Sequence, residues 1–298
     1  MNLYHLRVFQ TVAEHEHITR ASEELILSQP AVTKIIQSLE HETGLELIER
    51  HGRRIVLTHA GHVLHSYARR LFALEREMEE ALAVLQDVEI GEIKLAANTT
   101  TGVYLLPPIV SRYRNLYPQV NLYITILNSH EIIEQTLNWT LDFGLVEGDP
   151  STLPSGLHVE VFAQDELVLV VSPEHRWSRL DELNPEALRE GELLLREQGS
   201  GIREVIEHAL LLHRVQVNPL FTLPDNEAIK QMVISGVGAA IVSALAVQRE
   251  LVSGDLVRIP IAGVDLRPQL SLVRRIDKQL SRAAQAFCAL LETTNEQE

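Results

Sequence analysis

Apolar residues recur at helical spacing through the first forty positions. Past residue 90 they gather into short solid runs separated by amphipathic segments. Leu3, Leu6, Phe9, Val12 and Ala13 share one face and predict a first helix over residues 3–14. Thr19 is placed to cap a second helix, with Ser22 and Glu23 in its first turn and Leu25, Ile26 and Leu27 as its buried end. Ser28 is placed to cap a third. Pro30 falls in that helix's first turn, where a missing N–H costs nothing. Val32, Ile35, Ile36 and Leu39 form the inner face of the third helix. Gln29, Ala31, Thr33, Lys34 and Gln37 lie on or near its outer face. Helix, tight turn and helix with a polar outer face is a helix-turn-helix arrangement.

Leu45–Glu49 and Arg53–Leu57 read as two short strands around His51 and Gly52, a β-wing carrying Arg50, Arg53 and Arg54. From Thr58 to about Val88 the chain holds no proline. Leu64, Tyr67, Leu71, Leu74, Met78, Ala81 and Leu85 step by three and four, as in a heptad seam. A polar helix of this length needs a partner, which predicts a dimerising linker helix. The rest alternates strand and helix, from GEIKLAAN through LDFGLVEG and again from DELVLVVS through GVGAAIVS, which predicts parallel βαβ units. TTTGVYLLPPIVSRYRNLYP reads as one capped helix interrupted at Pro107 and Pro108. A break near 162–165 divides this region into two α/β subdomains, and the last strand and helix return to the first. Such a pair encloses a cleft at the carboxyl ends of its strands.

The fold class is therefore α/β: an N-terminal winged helix-turn-helix over 1–58, a linker helix over 59–89, and a two-subdomain domain over 90–298. Subdomain I takes 90–162 and 266–298, and subdomain II takes 163–265.

With 298 residues the chain is long enough for two or three domains. Its net charge of −15 argues against a nucleic-acid binder on the global average, yet the wing arginines form a local basic patch. Cys288, the one cysteine, cannot close an internal disulfide and fits a reducing compartment; AAQAFCALL reads as a buried thiol. No signal peptide and no membrane-spanning run is legible, so the expected location is cytoplasmic.

His59, His62 and His65 stand three apart at the start of the linker helix. With no Cys or Asp nearby to complete a ligand set, they read as a solvated or interfacial row rather than a metal site. No P-loop, G-x-S-x-G or G-x-G-x-x-G lies at a strand–helix junction, which argues against an enzyme, and no cofactor is called for. A secreted solute-binding protein would lack the N-terminal winged helix.

The sequence resembles the LysR-type transcriptional regulators over its whole length. The resemblance rests on Phe9, Thr19-Arg20-Ala21, Leu25, Ser28-Gln29-Pro30-Ala31-Val32, Ile36, Leu39-Glu40, Gly44, Leu47, Arg50, Leu57-Thr58 and Gly61, and on YLLPPIVSRYRNLYP, VISGVGAAIVS and GDLVRIPI. It implies a dimerising linker and a periplasmic-binding-protein-like effector domain. It also implies a homotetramer on double-stranded promoter DNA, and a small effector that alters DNA bending. RNA polymerase is a further expected partner.

In this frame Gln29 can pair with adenine, while Pro30 or Ala31 packs on a thymine methyl. Thr33 and Lys34 make backbone or mixed contacts, and Arg53 and Arg54 reach phosphate or the minor groove. Thr19, Arg20, Ser28, Gln37 and Arg50 complete the expected DNA-contacting set.

Effector candidates are Thr99, Thr100, Thr101, Asn128, Ser129, Ser200, Gly201, Ile202 and Asn226, at the starts of helices expected to face one cleft. Free N–H groups and hydroxyls there favour a small anion, although each residue alone can serve as a plain cap. Many members of the family carry a threonine where this chain has Ile202, which removes one hydroxyl. The TTTG, LVEG and GSG segments look most like the branch that regulates sulfur assimilation or carbon fixation genes. An aromatic or other carboxylate is the alternative effector class.

Overall fold

A computed structural model describes residues 1–51, 54–84, 91–190 and 192–292. The chain divides into two compact units, residues 1–82 and 83–298.

The first unit runs α1 (Leu3–His15), α2 (Ile18–Glu24), α3 (Gln29–Thr43), β1 (Ile48–His51), β2 (Arg54–Leu57) and most of α4 (His59–Val84). Leu6, Phe9, Val12, Val32, Ile36 and Leu39 interlock with Leu47, Ile55 and Phe72 to form its core. Three local features depart from the sequence expectation. His17, not Thr19, caps α2: its imidazole accepts the Thr19 N–H at 3.2 Å, so Thr19 lies inside the first turn. Ile26 is not buried with Leu25 and Leu27. It is 92% exposed and holds φ at 54°, because the tight turn before α3 needs one left-handed residue. The wing also starts later than expected. Glu40 accepts the N–H groups of Leu47 (2.9 Å) and Ile48 (3.4 Å), which ties this stretch to α3, so the ladder begins with Ile48 opposite Leu57. Arg53 and the side chain of Arg50 lie outside the described residues, as does the heptad seam beyond Leu82.

The second unit contains two five-stranded sheets. The first has the order β4-β3-β5-β12-β6, built from β3 (Gly91–Ala97), β4 (Val120–Ile126), β5 (Phe143–Gly148), β6 (Leu157–Gln164) and β12 (Gln269–Arg275). The second has the order β11-β7-β10-β8-β9, from β7 (Leu167–Val171), β8 (Leu193–Arg196), β9 (Phe221–Leu223), β10 (Ala239–Ser243) and β11 (Val257–Ile259). The helices are α5 (Leu106–Leu116), α6 (Ser129–Leu137), α7 (Gly201–Leu212), α8 (Asn226–Ile234), α9 (Ala244–Ser253) and α10 (Arg282–Glu292).

The expected parallel units appear in β4-β3-β5 and β10-β8-β9, but both sheets are mixed. β12 runs antiparallel to β5 and β6, and β7 antiparallel to β10 and β11. The cause is the double crossover between sheets. β7 and β12 each enter a sheet directly from the other, without the helix that a parallel return requires. The crossovers pair with each other: Asp165 N–H donates to Pro268 O (3.0 Å) and Leu167 N–H to Leu266 O (2.8 Å).

Pro107 and Pro108 do not interrupt a helix. They sit in the first turn of α5, preceded by a π-helical segment over Thr101–Leu105. Their missing N–H groups cannot bond the preceding turn, which is free to widen. Cys288 is half-buried, not enclosed, against the first sheet's core. Among the described residues no helix is long and apolar enough to cross a membrane.

Candidate functional site

Two sites emerge, one in each unit. In the first, the N-terminal halves of α2 and α3 and the start of β2 surround an open concavity of about 810 Å³. It is lined by Thr19, Gln29, Pro30, Thr33, Lys34, Gln37 and Arg54, with His17, Ile18 and Ile55. Ser28 accepts the Ala31 N–H at 3.3 Å and so fixes the start of α3, presenting Gln29, Lys34 and Gln37 to solvent. Ser28 itself serves as the cap and does not line the concavity. Arg20 is exposed beside it, and Ala31 is half-buried. His59 and His62 are exposed, whereas His65 packs edge-on to Phe9, so the three histidines do not share one environment. On α4, Tyr67, Leu71, Leu74, Met78 and Leu82 are all exposed.

In the second unit, a closed chamber lies where α6 and α7 begin. Asn98, Thr100, Asn128, Ser129, Glu147, Arg196, Ser200, Gly201 and Ile202 line it. Its free volume is about 10 Å³, room for about one water. Hydrogen bonds to two main-chain carbonyls enclose it, the first of them crossing between the subdomains. His130 N–H donates to Gly199 O at 3.1 Å, and the Ser129 hydroxyl to Glu147 O at 3.3 Å. Asn128 and Glu131 form a reciprocal cap on α6, whereas Ser200 makes no side-chain cap on α7 and leaves those N–H groups facing the chamber.

Thus Thr100, Asn128, Ser129, Ser200, Gly201 and Ile202 converge as the sequence predicts. Thr99 and Asn226 stand one step back, joined through Arg196, whose guanidinium donates to Asn226 Oδ1 (3.0 Å) and lies 3.5 Å from the Thr99 hydroxyl. Thr101 is buried beside the wall, its N–H bonded to Asn98 Oδ1 at 2.8 Å. The Thr101 hydroxyl and the Asn226 amide nitrogen have no partner among the described residues.

Four residues went unnoticed in the sequence: Asn98, Glu147, Asp165 and Arg196. The first, second and fourth line the chamber, and all four are buried. A signal was available for Asn98 and Arg196, which end the apolar runs of β3 and β8. Burial first, then the charge of Asp165, pushes the Glu147 carboxyl well above the ordinary carboxylate range. Arg196 and the Thr100 hydroxyl, which lies near but outside hydrogen-bonding geometry, oppose this.

Comparison with known proteins decides the family. Residues 3–62 match the bacterial regulatory helix-turn-helix protein, lysR family, and residues 86–295 match the LysR substrate binding domain. This chain belongs to the LysR family of transcriptional regulators. It is a DNA-binding regulator and not an enzyme. A RuBisCO operon transcriptional regulator of Allochromatium vinosum is 34% identical over 96% of this chain and 94% of its own. A full-length OxyR variant of Pseudomonas aeruginosa has the same fold, with a TM-score of 0.74 at 22% identity over 98% of each chain. The regulatory domain of Synechocystis PCC6803 CcmR, solved in complex with 2-PG, is 25% identical. Its TM-score is 0.63 over 70% of this chain and 98% of that one.

Proposed function

We propose that this LysR-family regulator controls carbon fixation genes in the cytoplasm, and that a small anionic metabolite sets its promoter binding by entering between α6 and α7, where the chamber widens from its present room for about one water to admit it. One observation carries the effector reading: the N-termini of two helices from different subdomains meet over a buried arginine, Arg196, in a chamber lined almost wholly by polar groups. The likeness to a RuBisCO operon regulator and to a domain holding 2-PG supports the pathway and the anion. Sulfur assimilation is the alternative pathway. The polar lining, with Ile202 its one apolar member, disfavours an aromatic body inside the chamber.

The DNA reading assigns Gln29, Pro30 and Ala31 to base edges. Thr19, Arg20, Ser28, Thr33, Lys34, Gln37, Arg50, Arg53 and Arg54 take phosphate or mixed contacts. The apolar stripe Tyr67–Leu71–Leu74–Met78–Leu82 supports a dimer through α4, with a tetramer on paired sites. The domain limits are those of 1–58, 59–89 and 90–298.

The test is a thermal-shift screen of the full chain against 2-PG, phosphoenolpyruvate, ribulose bisphosphate, sulfate, sulfite and O-acetylserine, repeated with Thr100→Val and Thr101→Val together. Saturable stabilisation of the parent by a phosphorylated metabolite, lost in the double variant, is expected. Stabilisation that survives in the double variant places the effector elsewhere.

A further inference from the structure

Two buried carboxyls, Glu147 in the chamber wall and Asp165 behind it, have no role in an anion site as so far described. Glu147 is the penultimate residue of β5 and is 2% exposed; Asp165 lies in the crossover from β6 to β7 and is 5% exposed. One oxygen of each is satisfied. Glu147 Oε2 accepts from the Asn98 amide at 3.1 Å, and Asp165 Oδ1 from the Glu166 N–H at 2.8 Å. The other oxygens, Glu147 Oε1 and Asp165 Oδ2, are buried with no donor among the described residues. Glu147 pairs with Leu270 of β12, and the Asp165 N–H reaches Pro268 just before that strand, so the register brings both carboxyls to one end of the first sheet, where each shifts the other's titration.

Two ionised carboxylates in this position would repel in a medium with little water to screen them. A single proton between them turns that repulsion into one O–H···O hydrogen bond and satisfies both bare oxygens. The neighbours oppose the repulsion without removing it. Arg196, from the end of β8, is paired with Glu197 at 2.8 Å and with Asn226. Thr100 and Ser243 offer only hydroxyls, and Glu166 adds negative charge that is itself ion-paired with Arg258.

We propose that Glu147 and Asp165 share one proton at neutral pH, and that the effector's anionic head binds only while that proton is held. The coupling rests on the reading of the chamber as the effector site; the shared proton does not. Glu147 lines the chamber together with the Thr100 and Ser200 hydroxyls and the start of α7, which has no side-chain cap. Ionised, it would set a negative charge against the incoming anion. Neutral, it leaves a wall complementary to an oxyanion. At neutral pH the proton is already in place when the anion binds; above the pair's titration the two enter together, and at any pH the site rejects a head group that is a bare cation. The direction of the Glu147 shift agrees, and burial also raises Asp165, against the Ser243 hydroxyl and the Glu166 N–H.

The sign follows from linkage. A carboxyl raised in the folded state contributes stability below its unfolded value and loses it as pH rises through the folded value. The first arm needs no ligand. Full-length parent, Glu147→Gln and Asp165→Asn are unfolded in denaturant from pH 5 to 9. The stability of the parent's second unit is expected to weaken with rising pH relative to both variants, whose amides keep a donor between the side chains. Parallel pH curves for all three chains overturn the shared proton. So does a gain in parent stability at pH 7.5 on adding micromolar Ca²⁺ or Mg²⁺ that Glu147→Gln abolishes, which would make the pair a cation site.

The second arm uses sulfate, whose charge is constant over this range. Its apparent affinity for the parent is expected to fall about tenfold per pH unit above the pair's titration and to stay level in Glu147→Gln. A level parent overturns the coupling. Failure of sulfate to bind either chain at any pH removes the small-oxyanion reading and the coupling with it. The shared proton then stands or falls on the first arm.

Discussion

Gly201 packs its α-carbon directly against the main-chain carbonyl of Glu147, so that a methyl group added there would fall inside that oxygen's van der Waals radius. The contact joins the first residue of α7, in one subdomain, to the end of β5 in the other. Backbone rather than flexible side chain meets the added methyl, so the clash cannot be relieved by a rotamer change. Gly201→Ala is expected to hold the chamber ajar and lower the stability of the second unit by about 1–3 kcal/mol. Effector-induced thermal stabilisation should be lost, with DNA affinity in the absence of effector retained. An unchanged thermal shift would show that closure is not required for binding.

Ile26 offers a gain instead. A β-branched residue in the left-handed region costs roughly 1–2 kcal/mol, and Ile26 at φ 54° is 92% exposed, so no burial is lost by replacing it. Ile26→Asn should stabilise the first unit by about 1 kcal/mol, read as a shift in its denaturant midpoint. A loss would mean that the isoleucine side chain itself holds the turn between α2 and α3.

These two positions also mark what the sequence discloses and what it hides. The spacing of Leu6, Phe9, Val12, Val32, Ile36 and Leu39 announced the helices of the first unit, because burial of one helical face leaves a period in the chain. The convergence of Thr100, Asn128, Ser129 and Ser200 was legible from strand–helix junctions. Glu147 was not, since a carboxylate at the end of FGLVEG looks like an ordinary strand terminus until a partner from 18 residues further on arrives beside it. The mixed sheets were hidden for the same reason. β12 joins β5 and β6 only after the chain has crossed to the second sheet and back, and strand order across such a crossover has no local signature. Turn chemistry misled at Thr19, where His17 reached the helix amide first.

At the DNA face the assignments divide into base readers and phosphate contacts. Gln29 is exposed at the start of α3, free of the cap that Ser28 provides. Gln29→Ala should cost about 1–3 kcal/mol for the cognate promoter and little for unrelated DNA. Arg54→Ala should weaken both alike and reduce the slope of log affinity against log salt by about one. Fluorescence anisotropy at several salt concentrations measures both. Equal losses on the two DNAs for Gln29→Ala would remove it from the base-reading set.

The first unit carries its own pH response at His65. Its ring is buried against Phe9 and pulled down from 6.5 to about 4, first by burial and then by the positive charges of Arg69 and His62. The ring is neutral in the folded protein at neutral pH, and its Nε2 has no hydrogen-bond partner among the described residues. Between pH 6.5 and about 4 the unfolded chain takes up a proton that the folded one refuses. Stability is therefore complete above 6.5 and declines as pH falls through that window, by about 2–3 kcal/mol in all. His65→Leu removes the titrating group while keeping the apolar contact with Phe9. Chemical denaturation of both chains between pH 7.5 and 4.5 should show the parent losing stability faster on acidification, the two curves separating below pH 6.5. Parallel curves would mean that His65 protonates as readily when folded as when unfolded, and that its burial against Phe9 is looser than the packing shows.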